Sequence, residues 1–349
     1  MRITDLELHL VEIERTRPLG PVRSLLVRLS TDDGLEGWGE AGLSWRPGEL
    51  AARRDMLLAV LAGRSIFDIE ELQGIEALAA APLRAAVEMA CWDLVGRATA
   101  EPLCRLLGGE YRRQIPLAAR LSGSSPGRSA RLARQLVDQG FHAFVLAGGT
   151  EATLDRQSLV AVREAVGDRM ALRLDAQAAY TPDHARDLCA EIEFEQLQFL
   201  LDPLATCELY PVAALGRQTA VPLALWRAIR GPADVLALVR ASAAAYVVID
   251  AERLGGIAPA RAAGSIAAAA GISALLGGRP ALGIATAAML HLAAATPPLS
   301  DANESAYHQL QDDVLAEPLE IADGMMTVPQ GPGLGIEVDR AKIERYSVG

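Results

Sequence analysis

The chain has 349 residues, 51% apolar and 22% charged, a globular balance long enough for one large α/β barrel plus a smaller domain, or for two ordinary domains. Its formal net charge of −11 excludes a nucleic-acid partner, whose phosphates demand a basic surface, and gives no reason to expect a membrane partner. Aromatic residues make up only 4%, so the core must be built from Ala, Leu, Val and Ile.

The first ten residues, MRITDLELHL, alternate polar and apolar side chains and lack a basic segment followed by an apolar one, so they read as a strand and not as a signal peptide. Ser24–Leu29 reads as a second strand, Asp32-Asp33-Gly34 as a turn, and Leu35–Glu40 as a returning third strand. From Ala51 to Gly109 the period becomes helical, with Leu83, Val87, Ala90 and Leu94 recurring every three or four residues. From Gln114 onward short apolar strands alternate with amphipathic helices. The strands are Ile115–Leu121, Ala143–Ala147, Ala171–Ala176, Leu197–Leu201, Leu223–Trp226, Tyr246–Asp250 and Ile272–Leu276. Repeated βα units with near-continuous apolar strands imply a parallel sheet covered by helices, and seven of them fit a closed barrel better than an open sheet. The Ala-rich stretch Ala260–Leu276 contains Arg261, Gly264 and Gly271 and reads as a buried helix–strand pair, not a membrane span. Cys91, Cys104, Cys189 and Cys207 form no CxxC pair or disulfide framework and read as reduced thiols of a cytoplasmic protein. No Gly-rich phosphate loop follows any strand.

A barrel of this kind carries its chemistry at the C-terminal ends of the strands. The residues there are Ala147, Asp175, Gln177, Leu201, Asp202, Arg227, Asp250 and Gly277. The only lysine in the chain is Lys342, so no lysine is available as a base in the barrel.

Several long segments carry a family resemblance. They are Thr31–Glu40, Ala85–Gly96, Leu106–Gly109, Leu254–Ile257, Leu290–Ala295 and Val328–Gly335, in that order over essentially the whole chain. They resemble the mandelate racemase and muconate lactonizing enzyme branch of the enolase superfamily. The resemblance implies an N-terminal α+β capping domain over residues 1–113, completed by the segment 321–349, on a modified TIM-type (β/α)7β barrel over residues 114–320. It also implies abstraction of a proton next to a carboxylate, with Mg²⁺ held by three carboxylates on successive strands.

At the matching positions the first ligand is Asp175, but the second is Leu201 and the third Arg227, evenly spaced along the chain. The position of the family's lysine pair reads Val145-Leu146-Ala147, and that of its histidine reads Gly277. The expectation is therefore a chain with no metal ligand set and no cofactor. Arg227 has two open readings: a fixed positive charge in place of the metal, or a structural ion pair with Asp175. Asp250 is either a proton-transfer group with a raised pKa or a carboxylate paired with Arg227 or Arg253. Asp175, Arg227 and Asp250 are the candidate catalytic residues, and Arg173, Gln177, Glu304 and Trp45 the candidate substrate contacts. Asp202 should point away from the Leu201 direction by strand alternation. His291 reads as a satisfied core histidine, and His142 should lie on the far face of the barrel.

Three functions remain open at this stage. They are an atypical, metal-independent lyase, isomerase or cyclase acting on a small carboxylate; an inactive relative used for binding or assembly; and an ordinary Mg²⁺-dependent member with displaced ligands. The resemblance also implies a symmetric homo-oligomer.

Overall fold

The computed structural model describes residues 1–16, 19–43, 45–122, 125–149, 151–206 and 208–348; Cys207 lies outside them. The chain opens with an antiparallel sheet of β1 (Ile3–Ile13), β2 (Val22–Thr31) and β3 (Glu36–Ala41). β2 lies in the middle, with Ile13 opposite Val22 at one end of β1 and Leu25 opposite Ala41 on β3. Helices α1 (Leu50–Leu61), α2 (Ala81–Thr99) and α3 (Leu103–Leu106) follow. α2 is buried on nearly all sides, as its almost continuous apolar sequence requires. Its backbone touches β3 at Gly37 and Gly39: a Cβ on Gly39 would sit 1.8 Å from the Ala86 carbonyl oxygen, so only glycine permits this approach.

The second part alternates strand and helix: β4 (Gln114–Ser122), α4 (Pro126–Asp138), β5 (Ala143–Ala147), α5 (Ala152–Val166), β6 (Ala171–Asp175), α6 (Pro182–Glu191), β7 (Phe199–Leu201) and α7 (Leu209–Gly216). It continues with β8 (Leu223–Leu225), α8 (Pro232–Ala241), β9 (Tyr246–Ile249), α9 (Ala251–Leu254), α10 (Ile257–Ala269), β10 (Ser273–Leu276), α11 (Gly283–Ala295) and β11 (Asn303–Glu304). Proline in the first turn of α4, α6 and α8 fixes each start where a backbone donor would be unused.

β4 to β10 pair in parallel in chain order, and β11 pairs in parallel with β4. The Asn303 side-chain oxygen accepts the Leu276 N–H at 2.7 Å, linking β10 to β11 and closing the ring. Along the strands one parity fills the barrel interior, with Phe199, Leu201, Ala224, Val248 and Leu275 as its apolar plug. The other parity packs against the helices.

The segment after β11 departs from the expected boundary at residue 321. The hairpin β12 (Ile321–Ala322) and β13 (Met325–Thr327) pairs antiparallel with β4 and so extends the barrel sheet. The return to the capping sheet comes later, through α12 (Arg340–Tyr346) and the Val348 N–H, which donates to the Leu10 carbonyl at 2.9 Å.

Two buried glutamates of the first part lock it onto the barrel by capping helix N-termini, whose first amides lack intrahelical acceptors. Glu40 accepts from the N–H groups of Leu282 and Ala285 at α11, and Glu88 from those of Ile257 and Ala258 at α10. His291 is buried as expected: its Nδ1 accepts the Cys104 N–H and its Nε2 donates to the Leu334 carbonyl, while burial lowers its pKa to about 4. Cys91, Cys104 and Cys189 are free and buried. No helix among the described residues is long and apolar enough to cross a membrane.

Candidate active site

The C-terminal ends of the barrel strands carry an arc of charged side chains. Asp175, at the end of β6, has a fully buried side chain and is gripped from two sides. Arg227, just beyond β8, places Nη1 3.3 Å from Asp175 Oδ1 and 2.7 Å from Asp202 Oδ2. Arg120, on β4, donates from Nη2 to Asp175 Oδ2 at 2.5 Å, and its Nη1 lies 3.9 Å from Glu304 Oε2. The order around the arc is Asp202, Arg227, Asp175, Arg120, Glu304. The Arg227 and Arg120 side chains keep 27% and 35% exposure, so neither is closed off from solvent.

Asp202 therefore joins the cluster, contrary to the expectation from strand alternation. Its φ of 45° takes it out of the extended conformation, and the alternation rule lapses with it. The turn lets its carboxylate accept the N–H groups of Trp226 and Arg227 as well. Burial pushes its pKa up even though the Arg227 side chain pulls it down.

Across the mouth, Asp250 follows β9. Its Oδ1 accepts the N–H groups of Glu252 and Arg253 at 3.0 and 3.2 Å, capping the short turn α9. The expected pairing with an Arg227 or Arg253 side chain does not form. The Arg253 guanidinium is drawn away by the backbone carbonyls of Arg227 and Ile229. Burial, and then the nearby Glu252 charge, raise the Asp250 pKa to about 6. Glu304 stands near it, with Oε1 buried and without a hydrogen-bond partner among the described residues; burial raises its pKa too.

Asp250 and Glu304 line one cavity, and Gly277 and Gly278 lie in the wall between them. A Cβ on Gly278 would fall 2.8 Å from Asp250 Oδ2, and one on Gly277 2.7 Å from Val248 Cγ1 with Glu304 Cβ at 3.4 Å. The glycines are required here for space. Met89 of α2 and Met289 and Leu292 of α11 give this cavity an apolar side, so it reaches from the barrel mouth to the capping domain. At its rim Arg279 Nε bonds Glu252 at 2.7 Å, and the Gly42 N–H donates to the same carboxylate, holding the capping loop down.

Three of the expected substrate contacts change. Trp45 does not line the mouth: its ring stacks under the Arg53 guanidinium at 4.3 Å within the capping domain, because the start of α1 brings that cation over it. Arg173 shares the parity of Asp175 but lies deeper, fully buried in the barrel floor over the face of Phe199. Gln177 is at the mouth, but its side-chain amide is engaged by the Gly148 carbonyl. Arg120 is the residue the sequence reading missed. Its parity with Ala118 inside β4 was the available signal, and only barrel closure brings it to Asp175.

With this arrangement in view, the relatives can be compared. The sequence profile "Mandelate racemase / muconate lactonizing enzyme, N-terminal domain" matches residues 18–108, and "Enolase C-terminal domain-like" matches residues 128–342. This chain belongs to the mandelate racemase and muconate lactonizing enzyme family of the enolase superfamily. A solved isomerase from Streptomyces coelicolor is 32% identical, with a TM-score of 0.89 over 99% of this chain and 98% of that one. The N-succinylamino acid racemase of Thermus thermophilus is 29% identical over 100% of this chain and 98% of its own length. Muconate cycloisomerase 1 of Rhodococcus opacus is 28% identical over 93% of this chain and 90% of its own.

Family membership corrects the expectation of no cofactor, because members of this family typically depend on Mg²⁺. Counting lost carboxylates was too strict a test: Mg²⁺ commonly keeps several waters and takes only one or two protein carboxylates. The side chains as they lie here nonetheless do not fit the ion. Asp175 and Asp202 are both engaged by guanidinium donors, and Leu201 turns an isobutyl group into the apolar interior. No grouping of three or more His, Cys, Asp or Glu suited to a metal occurs among the described residues.

Proposed function

We propose that the chain is an isomerase-type enzyme acting on a small carboxylate at the C-terminal mouth of the barrel. The observation that carries the reading is the pair of partly exposed arginine side chains, Arg120 and Arg227, fixed on either side of the buried Asp175. A guanidinium offers a planar fork that matches a carboxylate, and Asp175 holds both forks in place. In this reading Arg120 and Arg227 receive the substrate carboxylate and stabilise the charge that builds on its oxygens. Asp250, ionised above about pH 6 and free of any ion pair among the described residues, takes the proton from the adjacent carbon. Glu304, on the same cavity, returns a proton to the carbanion. Family likeness alone adds a symmetric homo-oligomer to the proposal.

A second reading rests on the same cluster. Asp175 and Asp202 already compensate much of the positive charge, which suits a protein that binds carboxylates without turning them over.

The test is a turnover assay on N-succinylamino acids, dipeptides and muconate-type diacids, with Mg²⁺ added and after chelation. It compares wild type with Arg227→Ala. The proposal expects turnover of at least one acid and a fall in kcat/KM of about tenfold or more in the variant. Turnover indifferent to Arg227→Ala removes that residue from the mechanism, and carboxylate binding without any turnover favours the second reading.

A further inference from the structure

The cavity that carries Asp250 and Glu304 extends past them into an apolar chamber that the proposed proton transfer leaves unused. The whole cavity has a volume of about 90 Å³. Gly277 and Gly278 add only backbone to its wall, because the space beside both is already taken. Ala281, Ala285 and Met289 follow at intervals of four residues, each with part of its surface open, and Ala285 and Met289 share one face of α11. Met89 of α2 completes the apolar lining. The other charged groups of the wall already hold partners. Arg279 Nε lies 2.7 Å from Glu252 Oε2, and Glu40 accepts the N–H groups of Leu282 and Ala285.

We propose that the chamber receives an aliphatic substituent of the reacting carbon, so that the substrate is a carboxylate with a short alkyl side chain. This rests on the function proposed above. A carbon that loses a proton beside a carboxylate must place the carboxylate, the hydrogen and its largest remaining substituent. Arg120 and Arg227 take the first and Asp250 the second, and the chamber beside Asp250 is left for the third. Glu304 joins the two regions, since it lines the cavity and lies 3.9 Å from Arg120. A charged tail would lie among Ala281, Ala285 and Met289 with no group to pair it, at a high desolvation cost. Size sets the limit on a neutral one. A cavity of about 150 Å³ holds the six carbons of benzene, so about 90 Å³ suits roughly three or four.

Calorimetric titration of the full chain with acetate, propionate, butanoate and 4-methylpentanoate tests the proposal, in wild type, Arg227→Ala and Ala285→Leu. The event followed is the one that Arg227→Ala weakens. In wild type its affinity should rise about tenfold or more from propionate to 4-methylpentanoate, as buried methylenes contribute. Ala285→Leu adds bulk to the chamber and should erase that rise while leaving acetate binding unchanged. An affinity that is flat with chain length, or a rise that Ala285→Leu leaves intact, overturns the chamber and leaves the carboxylate site standing. If no acid binds at all, the function proposed above falls and this inference falls with it. Should Ala285→Leu fail to fold, a wild-type crystal under xenon pressure gives the answer. Xenon beside Met289 supports the chamber, and its absence there overturns it.

Discussion

The two sides of the barrel mouth are built from the same kinds of residue and use them differently. On the β6–β8 side Asp175, Asp202, Arg120 and Arg227 answer one another, each aspartate held by at least one guanidinium. On the β9–β11 side Asp250 and Glu304 face a shared cavity across a wall thinned to Gly277 and Gly278; Asp250 forms no ion pair among the described residues, and Glu304 has only the longer contact to Arg120, at 3.9 Å. Mutual pairing keeps charges fixed in place, whereas a carboxyl left to desolvation keeps a pKa that can move within the physiological range. The first side is suited to hold a charged group still, and the second to move a proton.

The largest expected effect falls on the second side. Asp250→Asn should lower turnover at least about a hundredfold, the loss of a positioned proton-transfer group. Its unfolding free energy should change by no more than about 1 kcal/mol, because Asn caps a helix start about as well as Asp. Kinetics and urea unfolding of the same preparation separate the two. A variant that keeps its turnover reduces Asp250 to a cap and erases the contrast between the sides.

On the first side the large effect should be on stability. Asp175→Ala leaves two guanidiniums facing each other and should cost about 3 kcal/mol. That is the low end for breaking a buried pair, since both arginines keep partial contact with water. A loss below about 1 kcal/mol, read from the urea midpoint, would mean that the cluster is only a surface network.

Next in size is the wall between the two carboxyls. Gly278→Ala should cost about 1–3 kcal/mol from overpacking against Asp250 and lower kcat with it. Gly48→Ala, at an open position in the capping domain, is the control and should change neither.

The pH response should also belong to the second side. The folded-state pKa of Asp250 lies above its ordinary value, so its protonated form is favoured in the fold. Its contribution to stability is full below the ordinary carboxyl range and is lost as pH rises through about 6. Asp250→Asn should flatten that part of the stability profile. Activity should run the opposite way, rising through the same window as Asp250 ionises. The smallest effect is expected away from the mouth: Trp45→Leu should lose about 0.5–1 kcal/mol of stacking with Arg53 and leave turnover unchanged.

The fold was legible because its signals are long. Strand alternation in Ile3–Ile13, the helical period around Leu83–Leu94 and the recurring apolar strands each span many residues, so a local exception changes little. The pairing of the hairpin Ile321–Thr327 with β4 was not legible, because its two short strands carry no period of their own. The site was legible only where a residue follows the strand register, as Asp175 does. Asp202 escaped because one positive φ reverses where its side chain points. Arg120 escaped because its partner is 55 positions along the chain and meets it only when the barrel closes. Trp45 misled because a loop beside the capping sheet can fold onto its own domain, and here a nearby arginine decides that it does. The expectation of no cofactor went further than a ligand count allows, since such a count says which side chains are missing and nothing about ions held through water or substrate.

The most direct measurement of the central claim is exchange of the proton next to the substrate carboxylate, followed by proton NMR in D₂O across a panel of small carboxylates. The account predicts exchange with at least one acid, increasing as pH passes about 6, diminished in Arg227→Ala and abolished in Asp250→Asn. Exchange that persists undiminished in Asp250→Asn, or that is absent with every acid at every pH, would contradict it.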